Sequence, residues 1–189
     1  DRLRSRGLGD VYKRQELIAA NLPTACRNGA DTEARTSLAL ASLMAGAAFS
    51  NAMVGIVHAI GHSLGGLCRI PHGQAMMMLL PHCVRFNLDR GIHAGLYGQL
   101  LDVLAPARAA ALGAGAAPEA LDRAFLDELT ALNDLFHREY GVPLTLSELG
   151  VSRDDLPAVA KQARYDGAAL YNETEITLED AMAVLEAAY

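Results

Sequence analysis

The sequence predicts an all-α fold, and three observations carry that prediction. From Glu16 onward apolar residues recur at intervals of three and four, cap-type Ser, Thr and Asp residues precede those runs, and no stretch alternates as a strand would. Alanine is abundant, aromatic residues make up only 5% and Trp is absent, a composition suited to closely packed helices.

Taken in order, 16–23 reads as the end of a helix. Asp31 or Thr32 caps a second, whose stripe of Leu38, Ala41, Ala45 and Ala48 ends near Phe49. Residues 51–64 continue as a small-residue helix carrying His58 and His62. Another spans 72–87, with Met76, Leu79, Leu80 and Val84 apolar, Met76 to Met78 as core and Pro81 as a kink. Residues 92–104 form a further helix, and the Ala/Gly-rich 105–117 an irregular connection or weak helical extension. Pro118 opens an amphipathic helix to Tyr140 with Leu121, Phe125, Leu129, Leu132 and Phe136 on one side. Ser152 caps a helix to about Gly167, and Thr177 with Asp180 forms a capping box before the last helix.

At 189 residues and 51% hydrophobic, the chain can bury a core as one domain or two small ones. A net charge of −6 argues against a nucleic-acid partner. No segment reaches the roughly 18 uninterrupted apolar residues of a spanning helix, so no membrane partner is expected. Cys26, Cys68 and Cys83 make an odd count without a C-x-x-C, which reads as reduced thiols in a cytoplasmic protein.

The chemistry concentrates in 55–73. His58 and His62, at i and i+4, share one helical face, and His72 follows Gly65-Gly66 and Pro71, which can return it beside the pair. Three neutral imidazoles among apolar residues suit a borderline divalent ion such as Zn(II) or Fe(II). They equally suit partly buried histidines satisfied by backbone groups. A competing motif overlaps them: Gly61-His62-Ser63-Leu64-Gly65 fits the G-x-S-x-G nucleophile elbow of a serine esterase, with Asp134 and His137 downstream. That elbow needs a parallel sheet beneath it, and the flanks here are helical. A non-catalytic helical module is the third alternative.

The first fifteen residues look unlike the rest. Ser5 to Gln15 is what a DNA that resembles a common transposon-based sequencing-library adaptor encodes, and Asp1 to Arg4 fit the bases before it. Residues 1–15 are therefore expected to be an adaptor-derived, non-native tail, and 16–189 a helical metal-binding domain.

Phe49-Ser-Asn-Ala-Met-Val-Gly-Ile-Val-His58-Ala-Ile-Gly-His62-Ser-Leu-Gly-Gly66, then Ile70-Pro-His72-Gly73, then Leu79-Leu-Pro-His-Cys-Val-Arg-Phe-Asn87 resemble the iron-containing (group III) alcohol dehydrogenases. Ala34-Arg35, the 45–49 segment, Asp166-Gly-Ala168 and Glu179-Asp180-Ala181 extend the resemblance from Glu16 to Tyr189. It implies the multi-helix C-terminal half of a dehydroquinate synthase-like enzyme, whose N-terminal α/β cofactor domain would precede Glu16. It implies Fe(II), in some members Zn(II), held by His58 and His72 together with an Asp and a His that would also lie upstream. His62 corresponds to a catalytic and cofactor-side residue near the nicotinamide, and Phe49 to a position lining the substrate pocket. NAD or NADP would bind through the absent domain, the substrate would be a small alcohol or aldehyde, and the full-length parent is a candidate homo-oligomer. His82, His93 and His137 match no functional position. Where the family commonly has Asn-Pro, this chain has Asn172-Glu173.

Overall fold

The computed structural model describes the backbone from Arg2 to Tyr189 and the side chains from Lys13 onward. Among the described residues there are helices and turns and no strand. The α-helices are α1 (Arg2–Arg27), α2 (Thr32–Ala52), α3 (Ile56–Cys68), α4 (His72–Asp89), α5 (Leu101–Leu104), α6 (Pro106–Leu112), α7 (Pro118–Tyr140), α8 (Leu156–Ala163) and α9 (Leu178–Ala187). Short 3-10 turns cover Tyr97–Leu100, Arg153–Asp155 and Gly167–Tyr171. No single described helix is long and apolar enough to cross a membrane.

The chain divides into two compact units. One comprises Asp1–Met53 and Gly95–Phe125, the other Val54–Ala94 and Leu126–Tyr189. In the first, α1 packs against α2 and α5, and the buried apolar residues of α2 are Ala34 and Ala41. Asp31 caps α2 by accepting the Ala34 N–H at 2.9 Å. Asp122 is buried there, its carboxylate accepting the N–H groups of Gly95 and Gly98 at 2.5 and 2.7 Å. Gly98 is needed at that contact, because a Cβ would lie 2.5 Å from that of Leu121.

The second unit holds one continuous core in which Ile56, Ile60 and Leu64 of α3 meet Met78 and Leu79 of α4, Leu156 and Val159 of α8, and Leu185 of α9. Pro81 lies inside α4 and has no N–H for the Met77 carbonyl one turn back. Asn133 of α7 replaces the missing donor, its Nδ2 reaching that carbonyl at 2.9 Å. Thr177 and Asp180 form the expected capping box on α9.

Four predicted helices are corrected. The segment 51–64 is not continuous: α2 ends as Met53 adopts φ 60°, and α3 starts anew at Ile56. In 92–104, positive φ at His93 and Gly95 turns the chain, leaving a 3-10 turn and the one-turn α5. The helix expected from Ser152 begins as a 3-10 turn and is regular only over α8. At the other end α1 continues past Pro23 to Arg27. Most of the adaptor-like reading of 1–15 lies outside the described residues: Asp1 entirely, and Arg2 to Tyr12 in their side chains.

Candidate functional site

The three histidines meet because α3 and α4 form a tight hairpin. Arg69 ends α3 in the left-handed region at φ 58° and ψ 30°, and its N–H returns to the Leu64 carbonyl. Ile70 is buried behind that cap, and Pro71 leads directly into α4, so His72 is the first helical residue. The two helices approach at Gly61, where an added Cβ would stand 1.8 Å from the Met76 Cε and 3.7 Å from the Ala75 Cβ.

The imidazole centroids form a near-regular triangle, 5.5 Å from His58 to His62, 5.5 Å from His58 to His72 and 5.7 Å from His62 to His72. His58 is half-buried, while His62 and His72 are exposed. Burial pushes the His58 imidazole below its ordinary value, the neighbouring His62 and His72 act in the same direction, and Asp166 opposes them. A neutral imidazole is the form that ligates a metal.

The sequence pattern does not mark Asp166 as a site residue. Its Oδ2 and Oδ1 lie 3.1 and 3.3 Å from the His62 Nδ1. Its position 104 residues downstream hides it from any spacing argument. The available signal was local: an Asp before Gly167-Ala168 is a turn-capping pattern.

Two imidazoles sharing one ion through bonds of about 2.0–2.1 Å put their ring centres roughly 5 Å apart. His58 and His72 are close to that spacing. Among the described residues, however, no group of three His, Cys, Asp or Glu side chains is arranged to hold a metal ion. The chemistry of the pair fits a borderline divalent ion, as part of a centre that needs further ligands.

Ser63 is no nucleophile elbow. It lies within α3, 1% exposed, with its hydroxyl donating to the Ala59 carbonyl at 3.0 Å. Asp134 and His137 share α7, and the His137 Nδ1 pairs with the Val142 carbonyl at 2.9 Å. Phe49 occupies the last turn of α2, in the other unit, and is 52% exposed. His93 pairs with Glu173, and the half-buried His82 is held below its ordinary value by burial and then by Arg85.

Residues 11–189 match the family described as "Fe-containing alcohol dehydrogenase family, C-terminal", and the chain belongs to that family. Alcohol dehydrogenase 4 of Saccharomyces cerevisiae is 34% identical over 174 residues, covering 92% of this chain and 42% of that protein. The 1,3-propanediol dehydrogenase of Citrobacter freundii is 39% identical, covering 82% and 38%. Among solved structures, a 1,3-propanediol oxidoreductase superposes with a TM-score of 0.79 at 33% identity, covering 96% of this chain and 44% of that one. An alcohol dehydrogenase from Oenococcus oeni gives 0.83 at 28% identity, with the same coverage. The chain thus spans about two fifths of the relatives it matches.

Proposed function

We propose that this chain is the helical, metal-side part of an NAD(P)-dependent alcohol dehydrogenase that interconverts a small alcohol and its aldehyde or ketone in the cytoplasm. The observation that carries the reading is the imidazole triangle on the α3–α4 hairpin of a chain belonging to this family. His58 and His72 would hold the divalent ion, Fe(II) or Zn(II), with ligands from outside 16–189. When bound, the ion and the nicotinamide supply Lewis acidity and a hydride acceptor.

The chain's own side chains do the rest. Partial burial favours neutral His58, the ligating form. His62, one turn from His58 and paired with Asp166, stands ready to take the alcohol proton and pass it outward, or to order the cofactor side of the pocket. Phe49 is read as a substrate-lining residue on the family resemblance alone. Residues 1–15 are read as non-native, so the parent enzyme starts upstream in a reading frame that sequencing across Glu16 would recover. The same fifteen codons in genomic DNA would refute that.

The test is alcohol oxidation and metal loading of the parent enzyme. His58→Ala and His72→Ala are each expected to abolish both, and retention of full activity would overturn the assignment. The 189-residue chain alone is expected to be inactive; oxidation of simple alcohols with NAD by that chain would refute the reading.

A further inference from the structure

The 3-10 turn Gly167–Tyr171 is fastened to α3 by side chains at both of its ends. At its start, the Asp166 Oδ1 accepts the Ala168 N–H at 2.8 Å, which orients the carboxylate. That orientation presents Oδ2 to the His62 Nδ1 at 3.1 Å. Asp166 is largely shielded, with its side chain 21% exposed, so the pair is less open to water than His62 alone, at 44%. At the other end, Asn172 accepts the Ile56 N–H with Oδ1 at 3.3 Å, and its Nδ2 donates to the Thr174 carbonyl at 3.2 Å.

The Asn172 contact meets a need of α3. Gly55 precedes the helix and has no side chain to cap it, so a first-turn N–H would otherwise lack a side-chain acceptor. Asn172 acts as that cap from 116 residues away. The approach requires glycine, since a Cβ on Gly55 would stand 2.8 Å from the Asn172 Oδ1. One segment therefore fixes both the start of α3 and the ring on its second turn.

A carboxylate accepts but does not donate, so the nitrogen facing it must carry the proton. We propose that Asp166 is a positioning residue that holds His62 as its Nδ1–H tautomer and leaves Nε2 as the acceptor, with Asn172 keeping the turn in register on α3. The value of that tautomer rests on the proposed function, in which His62 takes a proton. The orienting contact itself does not.

The first experiment is nitrogen-15 NMR of the histidine side chains in the 189-residue chain at pH 8. His62, identified by its loss in His62→Gln, is expected to show a protonated Nδ1 and a bare Nε2. A bare Nδ1 or a doubly protonated ring would overturn the proposal, and this result requires no altered Asp166. Asp166→Ala is expected to move His62 toward the Nε2–H form. Asp166→Asn, which can still accept from Ala168 should the alanine variant unfold, should lower the Nδ1–H fraction by about twofold or more. An unchanged ratio overturns the proposal. In the parent enzyme, Asp166→Asn is expected to reduce kcat by roughly 10–100-fold with a smaller change in KM. Full activity of His58→Ala and His72→Ala beside a protonated His62 Nδ1 would sink the functional reading while the orienting contact stood.

Discussion

In the unit of Val54–Ala94 and Leu126–Tyr189 large side chains are sealed among small ones: Ile56, Ile60, Leu64, Met78, Leu79, Leu156 and Leu185. In the unit of Asp1–Met53 and Gly95–Phe125 the described buried apolar side chains are mostly alanines, with Leu101 and Phe125, and α2 leaves Leu40, Leu43 and Phe49 exposed. All six histidines belong to the first group and none to the second. A dense core fixes the backbones of α3 and α4, and so the points from which the three rings project, because a close-packed interior leaves few alternative arrangements. An alanine-lined pair of helices with exposed apolar side chains offers surface instead. The contrast assigns precision to one unit and contact area to the other.

Truncation is the strongest way to break that contrast. Leu64→Ala should cost about 2–5 kcal/mol by loss of burial and a residual cavity, seen as a lower denaturant midpoint. Leu43→Ala, at 71% exposure, should stay within about 0.5 kcal/mol. Equal losses would remove the distinction. Next in size, Asp122→Ala strands the N–H groups of Gly95 and Gly98 and should cost about 1–3 kcal/mol, with faster amide exchange at both glycines. That loss would show the alanine-rich unit to depend on one buried carboxylate. Thr177→Ala should cost about 1 kcal/mol through the lost cap on α9, read as a shifted melting temperature.

The smallest effect is pH-dependent. His58 and His82 are both held below the ordinary 6.5, so the unfolded chain binds their protons first as pH falls. Stability present at neutral pH is lost from about 6.5 down to the lower folded values. Amide exchange in α3 and α4, once corrected for its intrinsic slowing in acid, should show falling protection between pH 7 and 5. The histidine-free unit should lack this contribution, and an equal fall of protection in α2 would contradict the assignment.

How much of this was legible depends on the range over which each interaction acts. The bounds of α7, the Asp31 cap and the Thr177 box follow from residues within one turn of each other, and the sequence displays them. The break at Met53 does not show, because 51–64 keeps helical composition throughout and only the backbone reversal interrupts it. The nearness of His58, His62 and His72 was readable from the i, i+4 spacing and the Gly-Pro turn. The partners of α3 were not: Asp166 and Asn172 arrive from over a hundred residues away through tertiary packing. The resemblance to the family included Asp166-Gly-Ala168 without giving it a role, which only the distance to His62 suggests.

The missing side chain at Gly61 also bears on how this site can change over generations. Alanine at 61 would meet the terminal methyl of Met76, a flexible end free to swing aside, while the Ala75 Cβ at 3.7 Å is ordinary contact. Positions 61 and 76 are therefore coupled through a side chain that yields: a substitution at 61 is absorbed by Met76 before it respaces the imidazoles.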